Sequence, residues 1–294
     1  MIVCPKCRAA LVEGDGGLLC ASCAYRADRE DGIVLFSREI LPDHEDYRAE
    51  GVDALYRVEQ VHFWFSHRLQ VIQRAFRDYV GHREKILDVG AGTGHTARAL
   101  HEDGYRDISL GEIHTNGLRY AKRFGFEQLY QFDVRCPPFA DHFDAIGLFD
   151  VVEHTRDDGL VVRNLHAMLR SGGRVLLTVP AHRWLWSRVD ELSGHHRRYN
   201  RESMTALLEA SGFDVLECRY FFIALAPALL LRSLRARRTD WGHVGSDAGL
   251  AITGVTNTIL GLASRAGDIL FSPLRFTIGG SLLAIAKKRR DSQG

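Results

Sequence analysis

Four cysteines stand within the first 23 residues as two C-x2-C pairs, Cys4-Pro-Lys-Cys7 and Cys20-Ala-Ser-Cys23, twelve residues apart. Each pair can wrap a tight turn around one metal ion with thiolates about 2.3 Å from it, and two such turns complete a tetrahedron. Thiolate donors in that geometry suit zinc, with iron in a rubredoxin-like site as the alternative. Four thiolates leave no open position for a substrate, so the expected role is structural. Two disulfides are the competing reading. The N-terminus lacks a positive stretch followed by an apolar one, so no secretory signal is expected, and a reducing, cytoplasmic setting disfavours disulfides.

About 36 residues cannot hold a core alone, so the metal must supply folding free energy. Gly14-Asp-Gly-Gly17 reads as a hairpin tip and Ile33-Val-Leu-Phe36 as a closing strand, which makes residues 1–36 a zinc ribbon. Its charge is nearly balanced. Lys6, Arg8, Arg26 and Arg29 oppose Glu13, Asp15, Asp28, Glu30 and Asp31, whereas a ribbon gripping RNA would carry a basic face. Cys136 and Cys218 stand apart and read as ordinary buried residues.

A second cluster pairs carboxylates with glycines. Lys85-Ile-Leu-Asp88-Val is an apolar strand that runs into Gly90-Ala91-Gly92-Thr-Gly94 and then a helix from His95 to Glu102. Glycines there let the backbone approach a ligand, and the helix start offers free N–H groups. A phosphate loop needs Gly-Lys-Ser/Thr after the turn, and none follows. A dinucleotide fingerprint needs a glycine where His95 stands. Glu112 ends the next strand, Ile108-Ser-Leu-Gly-Glu112, 20 residues after Gly92, where a carboxylate can take both ribose hydroxyls of a nucleoside. Asp133-Val134 follow Glu127–Phe132, and Asp150-Val-Val-Glu153-His154 follow Phe143–Phe149. Each acid alone also fits a solvated turn. Together they stand at successive strand ends, where open α/β sheets bind ligands.

On these residues the chain resembles the class I S-adenosylmethionine-dependent methyltransferases, in particular their type 11/type 12-like subgroup, over about residues 60–220 and a final strand, Ser281–Ala286. The resemblance implies an α/β fold: a Rossmann-like, doubly wound, seven-stranded sheet with the last strand antiparallel. A zinc ribbon precedes it (1–36), followed by a linker and cofactor-covering helices (37–80). The methyltransferase domain spans 81–294, with a helical insertion at about 222–278. It also implies S-adenosylmethionine as cofactor. Asp88, Gly90, Ala91, Gly92 and Gly94 would form the turn around it, with Glu112 and Ile113 at the ribose. Asp133 and Val134 would meet the adenine, and Phe149 and Asp150 the methionine part. His62-Phe-Trp64-Phe-Ser-His-Arg68 resembles the subgroup's H-x-W-F-x-x-R helix, which closes over the cofactor with Trp64 and Arg68.

Downstream, Trp186-Ser-Arg-Val-Asp190 and Gly194-His195-His-Arg197-Arg198-Tyr199 resemble the subgroup's W-S-x-x-D…G-H-x-R-R-Y stretch. Methyl transfer is an in-line displacement that chiefly needs reactants held close, worth about 7–11 kcal/mol. An oxygen or nitrogen acceptor also needs a base, for which histidine is best placed. His195 is the first expectation, with Asp190 orienting it and His154 beside them. His182, Trp186, Arg197, Arg198 and Tyr199 are expected on the acceptor side. The competing readings are that His195, Arg197 and Tyr199 pin a loop onto the sheet, or that the paired arginines grip an anion.

Length and composition are ordinary for a soluble globular protein. The 294 residues are 46% hydrophobic and 26% charged, with a net charge of +1, which excludes a disordered tail or a basic nucleic-acid coat. Tyr220–Leu231 is apolar but too short to span a bilayer. Residues 248–271 are broken by Asn257, Arg265 and Asp268. With Arg232, Arg235, Arg237, Arg238 and Lys287-Lys-Arg-Arg290 nearby, residues 220–275 suggest either a lid over the acceptor or a peripheral contact with the inner membrane face. The expected acceptor is a small molecule, a glycan or a lipid-linked precursor. An RNA methyltransferase that uses its ribbon to read ribosomal RNA is the alternative, disfavoured by the neutral charge. A catalytically inactive cofactor-binding partner protein is the other.

Overall fold

The computed structural model of the chain describes residues 1–37, 49–236, 254–271 and 278–290. The N-terminal segment forms four short strands, Leu11–Gly14 (β1), Gly17–Cys20 (β2), Arg26–Glu30 (β3) and Ile33–Leu35 (β4), with Gly14 opposite Gly17 at the first hairpin tip. The cysteine sulfurs converge beside them. Cys4 and Cys23 are 3.5 Å apart, Cys7 and Cys20 3.4 Å, and Cys20 and Cys23 3.6 Å. Sulfurs around a tetrahedral zinc are about 3.8 Å apart, so the set fits that ion and is far too open for S–S bonds of about 2.05 Å.

Two helices follow, Ala49–Val58 (α1) and Phe63–Tyr79 (α2), and then strands and helices alternate. They are Ile86–Val89 (β5), His95–Glu102 (α3), Ile108–Glu112 (β6), Thr115–Arg123 (α4), Leu129–Gln131 (β7), Phe143–Phe149 (β8), Asp158–Met168 (α5) and Leu169–Pro180 (β9). The chain ends with Arg188–Leu192 (α6), Arg201–Ala210 (α7), Phe213–Phe221 (β10), Ala226–Ala236 (α8), Gly254–Phe271 (α9) and Ser281–Lys288 (β11). The strand order is β1-β2-β3-β4-β7-β6-β5-β8-β9-β11-β10. β7, β6, β5, β8 and β9 run parallel, and β11 lies antiparallel between β9 and β10.

The seven expected strands are therefore present, but the sheet holds eleven. Ile33, Val34 and Leu35 pair in parallel with Leu129, Tyr130 and Gln131. Without β4, β7 would be an open edge with unpaired N–H and C=O groups. The ribbon shares more than backbone bonds. Its Leu18, Ala27, Val34 and Phe36 pack in one core with Phe132, Phe139 and Phe143. Arg8 donates to the carbonyls of Pro137 (2.7 Å) and Phe139 (3.1 Å). Cys136 is not buried as expected but exposed, its Sγ against the Pro5 carbonyl, and Cys218 is only partly buried.

Alternation along the strands feeds two cores, because successive side chains point to opposite faces. Ile86, Ala145 and Leu176 face α2, α3 and α4, while Leu87, Ile146 and Leu177 face α5 and α7. The described parts of the insertion fasten α2 from outside. Asn257 on α9 accepts from the Phe63 N–H (2.7 Å) and donates to the Val61 carbonyl (2.7 Å). Asp268 accepts from His67 Nε2 (2.8 Å) and from the N–H groups of Phe222 and Ile223 (3.1 and 2.9 Å).

On its outer side α9 exposes Val255, Ile259, Leu262 and Ile269. Among the described residues no helix is long and apolar enough to cross a membrane. Arg237 and Arg238 lie outside the described residues, as do the side chains of Arg232 and Arg235. At the C-terminal basic run, Lys288 is buried against Asp141 and the Leu169 carbonyl, and Arg289 pairs with Asp214.

Because β4 covers β7, the metal should stabilise the sheet edge as well as the ribbon. Purified chain is expected to carry one zinc, and Cys20→Ser or chelation to lower the melting temperature. Both should also speed amide hydrogen exchange at residues 129–131; unchanged exchange there would uncouple ribbon from sheet.

Candidate active site

Strand order reverses between β5 and β8, and there, beyond the carboxyl ends of the strands, lies a cavity of ≈ 940 Å³. Its floor begins with the turn after β5. Gly90, with φ +67°, passes so close to Val151 that a Cβ would lie 2.4 Å from that side chain. Gly90, Ala91 and Gly92 line the cavity. Gly94 does not. With φ +83° it caps α3, and a Cβ would meet Ala121 at 2.7 Å, so its role is to let α3 approach α4.

Glu112 ties this turn to the end of β6. Its carboxylate accepts the N–H groups of Gly92 (2.8 Å), Ile113 (2.7 Å) and His114 (3.1 Å). Glu112 and Ile113 both line the cavity, as do Asp133 and Val134. The Asp133 carboxylate is gripped by Arg135, whose Nε and terminal nitrogen lie 2.9 and 2.6 Å from Oδ2.

At the centre the cavity is acidic. Asp88 is buried, its Oδ2 has no partner among the described residues, and burial pushes its carboxyl up to about 7 against the opposing Arg68 charge. Asp150 has a left-handed backbone (φ +55°), a conformation stored at functional sites when its surroundings hold it. It is paired with Arg68 from α2. Trp64 on the same helix stacks on Phe222 at 3.9 Å, and Phe149, Trp64 and Arg68 all line the space.

The far end is built from Glu153, His154, Asp190, His195 and Arg198. Asp190 is fully buried in a capping box with Ser187. It meets His195 Nδ1 at 3.0 Å and Arg198 Nε at 2.7 Å. Burial raises its pKa, but these two partners more than offset that and hold the carboxyl at about 2. The ring of His154 lies edge-on to His195 at 4.7 Å. Burial and the Asp150 charge push Glu153 well above the usual carboxylate range.

The remaining sequence-derived residues lie outside the cavity lining. His182 is buried between Trp184 and Tyr220. Trp186 Nε1 donates to Glu191. Arg197 pairs with Asp158 at 2.7 Å, and the buried Tyr199 hydroxyl donates to the same carboxylate at 3.0 Å. These contacts fix the segment after β9 against α5. Conversely, sequence reasoning missed Glu59, His62 and Glu153 as lining residues. Glu59 follows α1, receives the Thr93 hydroxyl and is pushed up to about 7 by burial; no local motif marks it. Glu153 had a signal, its place between Asp150 and His154.

Residues 59–218 match a family model described as a methyltransferase domain. A protein of Mycolicibacterium smegmatis named as an S-adenosylmethionine-dependent methyltransferase is 28% identical over 157 residues, 52% of this chain and 60% of that one. The ubiquinone biosynthesis O-methyltransferase of Bordetella avium is 28% identical over 118 residues, 38% of this chain and 48% of that one. The chain thus spans less than two thirds of the length of these relatives. Among solved structures, a Haloferax volcanii complex of a methyltransferase with the Trm112 methyltransferase activator matches with TM-score 0.55 at 14% identity. It covers 84% of this chain and 96% of that one. That likeness shows the fold.

Two outcomes follow from the geometry. Glu112→Ala, which removes the acceptor of three N–H groups, is expected to weaken S-adenosylhomocysteine binding at least tenfold in calorimetry. Asp190 has a folded pKa of about 2 against an ordinary 3.8, so its stabilisation is present above about pH 4 and fades as pH falls toward 2. At roughly 1.4 kcal/mol per pH unit of displacement this is about 2 kcal/mol. Denaturant unfolding of wild type and Asp190→Asn should therefore differ at pH 6 and converge toward pH 2.

Proposed function

Because the chain belongs to the methyltransferase domain family, we propose that it is an S-adenosylmethionine-dependent methyltransferase that methylates an ionisable hydroxyl of a small, glycan-type or lipid-linked acceptor. The observation that carries this reading is one continuous cavity. The glycine turn and strand-end acids lie at one end of it, and Glu153, His154 and His195 at the other. The cofactor supplies a methyl group activated on a sulfonium.

The chain's residues fit that group. S-adenosylmethionine brings positive charge, and the buried Oδ2 of Asp88, without a partner among the described residues, offers an acidic wall. Glu112 gives acceptor oxygens for ribose hydroxyls. Arg68, anchored on Asp150, and Trp64, stacked on Phe222, cover the space from α2 and exclude water. His195 is turned by Asp190, which engages Nδ1 and leaves Nε2 available at the acceptor end of the cavity. Asp190 and Arg198 act as positioning residues.

Leu225 and Leu229 line the same cavity beside these polar groups, which supports an acceptor with an apolar portion. Relatives named for O-methylation in ubiquinone biosynthesis support oxygen as the acceptor atom. The exposed apolar row on α9 supports contact with a membrane surface when the acceptor is lipid-linked.

Incubating the enzyme with methyl-labelled S-adenosylmethionine and fractionated cell extract tests this reading. Label is expected in the small-molecule or lipid fraction, and His195→Ala should lower it at least a hundredfold. Label in RNA would instead support the ribosomal RNA reading. Cofactor binding with no label anywhere would support an inactive partner protein.

A further inference from the structure

One group at the acceptor end is not accounted for by methyl positioning. Glu153 has no exposed surface, and neither carboxylate oxygen has a hydrogen-bond partner among the described residues. A buried carboxylate in that position needs a cation or donors, and its protonated form would still lack partners for both oxygens. The nearby guanidinium groups are engaged elsewhere, Arg68 with Asp150 and Arg198 with Asp190. What stands within reach instead is a pair of imidazoles. One ligand atom from each of Glu153, His154 and His195 lies within 4.8 Å of the others.

We propose that Glu153, His154 and His195 bind a divalent transition-metal ion at the acceptor end of the cavity, a site separate from the four-cysteine ribbon. Two imidazoles and one carboxylate suit manganese, iron(II), cobalt or zinc, whereas the ribbon's four thiolates select zinc. Donor atoms around such an ion stand about 3.4 Å apart in a tetrahedron, so modest rotation of the two histidines closes the set. The Asp190 carboxylate on Nδ1 of His195 supplies the outer partner that metal-binding histidines carry, fixing the tautomer that leaves Nε2 for the ion. Three protein ligands leave coordination positions open.

This deepens the acceptor reading above and rests on it for its chemical consequence. An acceptor hydroxyl bound in an open position loses its proton to solvent more readily. The oxygen then forms the new C–O bond as the S–C bond breaks, and the electron pair of that bond stays on sulfur. The positive sulfonium and the negative oxygen end as neutral thioether and neutral ether. On this account His195 is a ligand, not the group that removes the proton.

Manganese titration of the full-length, zinc-loaded chain tests the site, followed by electron paramagnetic resonance of free Mn²⁺. Wild type is expected to take up one Mn²⁺ per chain, and Glu153→Gln and His195→Ala each to weaken uptake at least tenfold. Asp190→Asn should weaken it by a smaller factor. S-adenosylhomocysteine binding reports whether each variant is folded, and either of the first two suffices if the other does not fold. No Mn²⁺ uptake by wild type, or equal uptake by the folded variants, overturns the proposal. Methyl transfer that is undiminished after Mn²⁺ is withheld and lost only in His195→Ala also overturns it, while leaving the acceptor reading intact. Specific uptake with no acceptor methylated would support the site and count against that reading alone.

Discussion

Three backbone N–H groups converging on the Glu112 carboxylate hold the catalytic end of this molecule together. Those of Ile113 and His114 belong to the exit of β6, and that of Gly92 to the turn leaving β5. Charge-assisted bonds of this kind are about twice as strong as neutral ones, and here they add to the bonds from the Gly90 and Ala91 N–H groups to the Gly111 carbonyl in fixing the two loops. With the turn fixed, α3 can start at Gly94 and pack against Ala121 of α4. The first glycines then stand open to the cavity. On the function proposed above, the same carboxylate exchanges part of this bonding for ribose hydroxyls.

Around that clasp the cavity sorts its charges into two kinds. Asp190 is satisfied on every side, by Ser187, His195 and Arg198, and is held at about 2. Such a group orients others and does not exchange protons near neutrality. Asp88 and Glu153 keep oxygens without partners among the described residues and have raised pKa values. Buried acids left in that state are disfavoured unless a cation visits them, and both lie on the cavity wall. Asp190 thus orients its neighbours, while Asp88 and Glu153 line the cavity.

Legibility in the sequence followed the range of the interactions. The turn from Asp88 to Gly94 and the acids at Glu112, Asp133 and Asp150 were readable because each sits at a strand end and depends on residues nearby in the chain. The four cysteines were readable for the same reason. Pairing of β4 with β7 joins residues almost 100 positions apart and leaves no local pattern, so the ribbon's merging with the sheet was not legible. The stretch after β9 shows the opposite limit. Its motif was clear, yet His182, Arg197 and Tyr199 bond to neighbouring elements outside the cavity, while Asp190, His195 and Arg198 reach the cavity. Residue types alone do not tell those two outcomes apart, because aromatic and charged side chains pin loops as readily as they bind substrates. Glu59 was hidden because it lies past the end of α1, reaching Thr93 only in three dimensions.

On the proposed function, the clasped carboxylate and the turn beside it receive the cofactor's nucleoside, with the reacting sulfur directed toward the Glu153 end. A crystal structure with S-adenosylhomocysteine measures this directly. Ribose hydroxyls are expected within hydrogen-bond distance of Glu112, with the sulfur facing the space bounded by Glu153, His154 and His195. A product bound elsewhere, or one in this cavity with its ribose away from Glu112, would contradict that placement.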